Sequence, residues 1–369
     1  MLPKPVKSEC YGQPAKEVRG PESAQPATDI AKTLGSATLT HGIGGTMRNA
    51  IVTAILILGG ILAALVLGLA IFIAANWAPE KSVAELQPRW APPPSTFVEV
   101  LGLNVHLRDE GPREDRSPIV LLHGTGSSLH AWEGWAQALK SRRRVIRYDL
   151  AGFGLTGPSP DGTYSLDSDV RLLVALLDKL GVARCVLGGN SLGGAIAWRA
   201  ALAYPARIEK LILVDAGGYP PHATSIPFGF RLARLAPLPL VGALLEHILP
   251  RSLVEQGFRN IYGDPSKVTQ EQIDRSVELT QRAGNRRALL ARARQRRTGI
   301  LAERIPELKL PTLILWGGRD RLIPPEDAER FHREIAGSTL VMFEDLGHAP
   351  EEEDPARTVA AVKRFLGME

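Results

Sequence analysis

The sequence predicts an α/β protein: a doubly wound, mostly parallel eight-stranded sheet with a helical insertion, preceded by one transmembrane helix. Short apolar runs alternate with helical segments after residue 96, which is typical of a parallel sheet covered by helices. The stretch between Asp215 and Leu310 has no buried-strand pattern and is predicted to be a helical insertion. Residues 50–75 are uncharged and almost wholly apolar, as a membrane-spanning helix requires.

The composition is typical of a globular protein and excludes a disulfide framework or a zinc-based fold. The chain has 369 residues, of which 22% are charged and 44% hydrophobic, so it can form one large α/β domain with additions. Its two cysteines, Cys10 and Cys185, are too few and too far apart for either kind of cross-link. Cys185 falls in an apolar run and is interpreted as a small buried core residue.

The amino-terminal region divides into a tail, an apolar run and a linker. Residues 1–49 are rich in Pro, Gly, Ala, Ser and Thr without apolar periodicity, which predicts disorder. The run at 50–75 can span a hydrocarbon core of ~30 Å and is about twice as long as a signal-peptide core. We interpret it as an uncleaved signal anchor, with a cleaved signal as the alternative and Met47 as an alternative start to Met1. Residues 76–95 are dense in proline, which predicts a semi-rigid extended linker.

The distribution of basic residues predicts the orientation of this anchor. Six Lys or Arg residues precede the apolar run, against Lys81 and Arg89 in the linker. The positive-inside tendency then leaves the tail in the cytoplasm and everything after residue 76 on the extracytoplasmic side, the periplasm in a bacterium. Trp77 and Trp90 suit the membrane interface on that side.

The sheet is predicted from short, uniformly apolar runs, which favour strands buried on both faces. An opening hairpin covers residues 97–108. Further strands are predicted at residues 119–122, 145–148, 185–187, 210–215, 312–316 and 339–343. Apolar residues at helical spacing predict a helix at 167–180, another helix follows the strand at 185–187, and a closing helix covers 355–366.

A glycine-flanked serine carries the strongest chemical signal. Gly189-Asn190-Ser191-Leu192-Gly193 matches the G-x-S-x-G nucleophile elbow, a sharp turn between a strand and a helix. At such a turn the two glycines leave out Cβ atoms that would clash. The following helix points its first amides and its positive dipole end at Ser191, where negative charge develops during acyl transfer. The alternative interpretation is a glycine-rich turn with an incidental serine.

Five motifs in this order resemble the α/β-hydrolase fold superfamily, in its capped, serine-nucleophile, esterase- and lipase-like branch. The resemblance covers about residues 96 to 369. The motifs are His123-Gly-Thr-Gly, Asp149-Leu-Ala-Gly-Phe-Gly, Gly189-Asn-Ser-Leu-Gly-Gly, Trp316-Gly-Gly-Arg-Asp and Leu346-Gly-His-Ala-Pro. The resemblance implies no metal and no organic cofactor.

The resemblance also implies a catalytic triad in the order nucleophile, acid, histidine. Ser191 is the expected nucleophile and His348 the expected base. Asp320 is favoured as the acid, and Asp215, at the end of the preceding strand, is the alternative.

Two further implications concern the loops around the triad. The oxyanion is expected to bind the backbone N–H groups of Thr125 and Leu192. His123 is expected to support its own loop.

The insertion corresponds to a helical cap at residues 219–307, between hydrolase core segments at 96–218 and 308–369. Cap helices are predicted at 229–243, 252–261, 269–281 and 285–297. Residues 219–307 contain 14 Arg or Lys against 8 Asp or Glu, with eight arginines between Arg282 and Arg304. These arginines indicate either a solvated helix face or contact with anionic lipid headgroups. Nucleic-acid binding is not expected, because no aromatic stacking platform accompanies the charge.

Taken together, the sequence predicts a membrane-anchored serine hydrolase that cleaves carboxylic esters, including lipid-derived ones. Serine at the elbow disfavours haloalkane dehalogenase and epoxide hydrolase activities, whose relatives use a carboxylate nucleophile. Gly-Asn-Ser-x-Gly-Gly is also similar to hydrolases that cleave carbon–carbon bonds in ring-fission products, but those usually carry Trp after the catalytic histidine, where this chain has Ala349. Perhydrolase chemistry and a non-catalytic role are the remaining alternatives, and acyl length and oligomeric state stay open.

Overall fold

The computed structural model describes residues 40–220, 239–295 and 301–369. The chain divides into two compact units, Met1–Leu67 and Gly68–Glu369. Helix α1, Thr40–Ala75, begins in the first unit. Its residues 45–75, which include an 18-residue window with a mean hydropathy of 2.9, are long and apolar enough to cross a membrane. Helix already begins at Thr40, so the prediction of disorder up to residue 49 is wrong for residues 40–49. The predicted disordered residues 1–39 lie outside the described part of the chain.

The second unit is built on an eight-stranded sheet of order β1-β2-β4-β3-β5-β6-β7-β8. The strands are β1 Thr96–Val100, β2 Leu103–Glu110, β3 Ile119–Leu122, β4 Val145–Tyr148, β5 Cys185–Asn190, β6 Ile208–Val214, β7 Thr312–Gly317 and β8 Thr339–Phe343. Strand β2 pairs antiparallel with β1 and β4, and the remaining pairs are parallel. The predicted doubly wound, mostly parallel sheet is confirmed. Strands β3, β4 and β5 are buried throughout, as their mostly apolar sequences indicated.

Helices cover both faces of the sheet and form two hydrophobic cores. One core contains side chains of helices α4 and α5, such as Leu173 and Trp198. The other contains Trp135 of α3 and Val362 of the closing helix. The core helices are α3 Glu133–Leu139, α4 Leu166–Lys179 and α5 Leu192–Ala203. Those of the second core segment are α10 Pro325–Glu334, α11 Pro350–Glu353 and α12 Pro355–Leu366.

Within its described residues, the insertion between β6 and β7 contains helices joined by loops and no strand of the sheet. Its helices are α6 Pro239–His247, α7 Arg251–Ile261, α8 Gln270–Gln281 and α9 Asn285–Gln295. The last three lie where helices were predicted. Most of the first predicted cap helix, residues 229–238, lies outside the described residues, as do residues 296 and 297.

Two arginines of α9 correct the prediction that this basic stretch forms a surface. Arg286 and Arg292 are only 4% and 7% exposed, so neither a solvated face nor headgroup contact describes them. The Arg292 guanidinium donates to both carboxylate oxygens of Asp169 on α4, at 2.6 and 2.9 Å, and to the carbonyl of Ala151 at 2.9 Å. The buried charge is therefore paired, and it joins the cap to the core.

Residues 76–95, here called the strap, are not the extended linker that the proline content predicted. They contain helix α2, Val83–Trp90, which begins with a reciprocal capping box between Ser82 and Glu85. Trp90 and Leu86 are buried against Leu279 of α8. Helix formation wins here because the capping box and the burial of an apolar face outweigh the stiffness of the flanking prolines.

Further polar contacts fasten the strap to the cap. The indole N–H of Trp90 donates to Glu278 at 2.6 Å, and Arg89 pairs with Glu278 and Asp274 at 2.9 and 3.0 Å. Nearer to α1 in the chain, the backbone N–H of Lys81 donates to the carbonyl of Gln281 at 2.8 Å. The strap is therefore a packed part of the second unit.

Candidate active site

Ser191 lies at the turn between β5 and α5 with φ 53° and ψ −111°, a strained backbone conformation for a residue with a side chain. A Cβ on Gly193 would lie 2.1 Å from the carbonyl oxygen of Leu122, and one on Gly189 would lie 2.3 Å from that of Gly193. Both positions therefore require glycine if the turn is to close against β3. Strain held by such tight packing is common where a side chain must be presented for chemistry.

The loop after β3 lies directly against this serine. A Cβ on Gly124 would lie 3.2 Å from the Cβ of Ser191. Thr125 follows in this loop, and Leu192 is the first residue of α5, so both expected oxyanion donors belong to segments that meet at Ser191. Because α5 begins here, the first N–H groups of the helix lack intrahelical partners.

His348 and Asp320 lie on the loops that follow β8 and β7. The Nδ1 atom of His348 is 2.6 Å from Oδ2 of Asp320, and both side chains are buried. The other oxygen, Oδ1, accepts the backbone N–H groups of Leu322 and Ile323, at 2.7 and 3.0 Å. This carboxylate is therefore fixed, and it favours the histidine tautomer with the proton on Nδ1 and a free lone pair on Nε2.

Asp215, the alternative acid, lies beside this pair at the end of β6. Its Oδ1 accepts the N–H of Gly317 at 3.0 Å, whereas its Oδ2 is buried without a hydrogen-bond partner. Burial, and then the charge of Asp320, raise the pKa of Asp215 well above its usual range. These surroundings favour the uncharged form of Asp215, and the carboxylate bonded to His348 is that of Asp320.

The side chains of Asp215, Asp320 and His348 also have the spacing of metal ligands. One potential ligand atom from each lies within 4.8 Å of the other two. The hydrogen bond between Asp320 and His348 occupies the atoms that a cation would need, and the raised pKa of Asp215 favours its uncharged form. The arrangement fits the orientation of an imidazole better than cation binding.

Asn190, immediately before the serine, holds the histidine loop to the elbow. Its Nδ2 donates to the backbone carbonyl of His348 at 2.9 Å and, at 3.4 Å, to that of Val214. Sequence reasoning gave this side chain no role. Its position next to Ser191 in the elbow motif was the signal that could have identified it.

His123 supports its own loop, as expected. It is fully buried, its Nδ1 lies 2.8 Å from the carbonyl of Gly124, and its Nε2 accepts the N–H of Leu150 at 3.0 Å. Desolvation lowers the pKa of His123, so it stays neutral. His123 therefore has a different role from His348, which is the residue expected to transfer the proton.

An open pocket with about 280 Å³ of empty volume lies between the loop that contains Thr125 and cap helices α8 and α9. Its walls combine the loops after β3 and β4 with cap side chains. The lining residues are Gly126, Ser127, Gly152, Phe153, Gly154, Leu279, Thr280, Asn285 and Leu289. The pocket therefore lies between the core and the cap, next to the loop that contains Thr125.

Residues 119–362 match the model of the alpha/beta hydrolase family, which spans the elbow, both acids and His348. The chain belongs to the alpha/beta hydrolase family. This hydrolase is 31% identical to an uncharacterized protein of Mycobacterium tuberculosis over 287 residues, 75% of this chain and 82% of the relative. It is 30% identical to the 2-hydroxy-6-oxo-2,4-heptadienoate hydrolase of Pseudomonas putida over 280 residues, 73% of this chain and 94% of that enzyme.

Among solved structures, the hydrolase is similar to a membrane phospholipase A described as a bacterial virulence factor. The TM-score is 0.63 at 23% identity, over 87% of this chain and 98% of that one. At this identity the likeness establishes the fold.

Proposed function

We propose that the protein is a membrane-anchored serine hydrolase that cleaves carboxylic esters, including lipid-derived ones, through an acyl-enzyme. One observation carries the proposal. Ser191 stands on a strained elbow at the sheet edge where His348, held 2.6 Å from Asp320, is bonded to the elbow through Asn190. A nucleophile, a base with a free Nε2 and a carboxylate that orients the base are the parts that acyl transfer needs.

In the proposed reaction, the Ser191 Oγ attacks the ester carbonyl carbon while its proton passes to Nε2 of His348. The oxyanion of the tetrahedral intermediate accepts the N–H groups of Thr125 and Leu192. Collapse expels the alcohol, which takes the proton from Nε2, and leaves an acyl group on Ser191. A water then repeats the sequence, with His348 as base, and releases the carboxylic acid. Asp320 stabilises the imidazolium in both steps without becoming protonated.

The pocket favours an acyl chain or another apolar group. Phe153, Leu279 and Leu289 supply apolar surface beside the expected oxyanion donors. The proposed ligand is a small-molecule ester or a lipid. Nucleic acid is not a proposed ligand.

Carbon–carbon bond hydrolysis of ring-fission products is the second candidate. The 30% identity to the heptadienoate hydrolase of Pseudomonas putida favours it. Ala349 directly after His348 favours the ester, because hydrolases of the other kind usually carry Trp there.

Hydrolysis of p-nitrophenyl esters of graded acyl length by the detergent-solubilised protein tests the proposal, with Ser191→Ala alongside. We expect turnover by the wild type and its loss in the variant. Wild-type turnover that persists in Ser191→Ala contradicts the mechanism. Turnover of a vinylogous diketone acid but of no ester, in protein shown to be folded, transfers the function to the second candidate.

We also propose that α1 anchors the protein with the hydrolase on the extracytoplasmic side. The basic residues before the span and the membrane phospholipase among similar structures support this. Glu99 is exposed on β1, and Cys185 is buried, so Glu99→Cys in a Cys10→Ser background offers a single accessible thiol. A membrane-impermeant maleimide should label Glu99→Cys in intact spheroplasts. Labelling only after lysis would reverse the orientation.

A further inference from the structure

Glu353, at the end of α11, bonds to backbone on both sides of the boundary between core and cap. Its Oε2 accepts the N–H of Gly347 at 2.8 Å and that of Gly263 at 2.9 Å. Its Oε1 accepts the N–H of Asp264 at 2.8 Å. Gly347 directly precedes His348, whereas Gly263 and Asp264 follow cap helix α7. One buried carboxylate, 7% exposed, therefore holds the histidine loop and the cap together.

The backbone of the histidine loop and the backbone that follows α7 are also in direct contact. The N–H of His348 donates to the carbonyl of Ile261 at 2.6 Å. A Cβ on Gly347 would lie 2.2 Å from that same carbonyl oxygen, and a Cβ on Gly263 would lie 2.2 Å from the carbonyl oxygen of Asp345. Because the contacts are this close, a shift of one backbone by even a methyl radius moves the other. A displacement of the cap is therefore passed to the histidine loop.

The charge of Glu353 strengthens this junction. Hydrogen bonds from N–H groups to a carboxylate are stronger than those to a neutral acceptor, more so away from water. Three such bonds converge on one side chain. A neutral side chain of the same shape cannot accept all three, since one of its terminal atoms is itself a donor.

We propose that Glu353 is a positioning residue, which sets the imidazole of His348 through Gly347 and couples it to the cap. The inference rests on the proposed function of His348 as the base. A cap that moves when a substrate enters then displaces the histidine loop with it. In this arrangement the geometry of proton transfer depends on the state of the cap.

The test compares Glu353→Gln with Glu352→Gln in the full-length protein on a p-nitrophenyl ester. Glu352 lies on the same helix and pairs with Arg275 of cap helix α8, so it is a core-to-cap contact that does not bond to the histidine loop. We expect kcat to fall about tenfold or more in Glu353→Gln, with KM within about twofold, because a loss of ~1.4 kcal/mol in the transition state is tenfold in rate. We expect Glu352→Gln to retain kcat within about twofold.

The pH profile separates positioning from general loosening of the fold. Displacing the histidine loop changes the contact between His348 and Asp320, so the acid limb of the kcat/KM profile should differ between Glu353→Gln and the wild type. Glu353→Asp, whose carboxylate is one methylene shorter, should fall between the wild type and Glu353→Gln. If Glu353→Gln and Glu353→Asp both keep the wild-type kcat and acid limb while Ser191→Ala is inactive, the positioning role is wrong and the proposed function stands.

Hydrogen exchange on the wild-type protein tests the junction without any variant. The amides of residues 263, 264, 347 and 348 should share one level of protection and change together when a phosphonate inhibitor reacts with the protein. Independent exchange of the cap amides and the loop amides would overturn the coupling. Failure of the phosphonate to react with Ser191 would instead count against the proposed function.

Discussion

The Nδ1 of His348 and the Oδ2 of Asp320 lie 2.6 Å apart, while Asp215, on the neighbouring strand end, keeps one carboxyl oxygen buried without a partner. The carboxyl groups of Asp215 and Asp320 thus both lie close to the imidazole of His348, but their surroundings differ. Asp320 accepts two backbone N–H groups and bonds to the histidine. Asp215 is buried and faces the charge of Asp320, and both favour its neutral form, whereas it accepts a single N–H, from Gly317.

We expect this difference to separate the two asparagine variants in catalysis. Asp320→Asn should lower kcat on an ester by ~10³–10⁴-fold, since an amide cannot hold the imidazole tautomer or stabilise the imidazolium. Asp215→Asn should keep kcat within about tenfold, because the amide resembles a neutral acid and can still accept the N–H of Gly317. Steady-state kinetics of the two variants measure this. Similar losses in both would mean that the carboxyls act as one unit.

The raised pKa of Asp215 also predicts a pH dependence of stability. An unfolded aspartate ionises near pH 3.9, whereas the buried carboxyl keeps its proton well above that, so the native state binds more protons. The contribution of Asp215 to stability is therefore complete below about pH 3.9 and is lost as pH rises toward its folded pKa. Urea unfolding should show that Asp215→Asn gains free energy of unfolding relative to wild type between pH 5 and 8. A constant difference across that range would contradict it.

The contacts of the strap with the cap predict where the stably folded domain begins. Trp90 is 3% exposed and bonds to Glu278 at 2.6 Å, so Trp90→Ala should lower the free energy of unfolding by about 3–5 kcal/mol. Arg89→Ala, at an ion pair whose arginine side chain is 48% exposed, should cost less than about 1 kcal/mol. Chemical denaturation of the two variants makes the comparison. A truncated chain that begins at Asn76 should have a higher free energy of unfolding than one that begins at Thr96. Equal free energies of unfolding would mean that the strap acts only as a linker.

Two glycines with opposite surroundings test the packing of the elbow. Gly193→Ala should abolish activity and lower stability, because its Cβ would lie 2.1 Å from the backbone oxygen of Leu122. Among the described residues, no atom outside α7 lies within 4 Å of a Cβ added to Gly257 in that helix, so Gly257→Ala should leave activity unchanged and raise stability by about 0.5–1 kcal/mol. Thermal unfolding and ester turnover of each variant give the result. A fully active Gly193→Ala would refute the close approach of α5 to β3.

Several residues that bond across the fold were given no role from the sequence. Asn190 and Glu353 reach their partners, His348 and Gly263, across long stretches of chain. The two buried arginines of α9 and the helix inside the strap were likewise missed. Side chains of these types are usually exposed, so only a partner brought near by folding shows that one is buried.

Local pattern, by itself, determined the parallel sheet, the strand-to-helix turn at Ser191 and the long apolar helix, because each depends on residues close together in sequence. The tertiary structure decided which acid bonds to His348, since Asp215 and Asp320 both follow strands of the same edge and differ only in the backbone donors around them. It also decided that the strap packs on the cap and that Glu353 joins the cap to the histidine loop. These contacts depend on the free energy of burying particular groups together, which no periodicity in the sequence records.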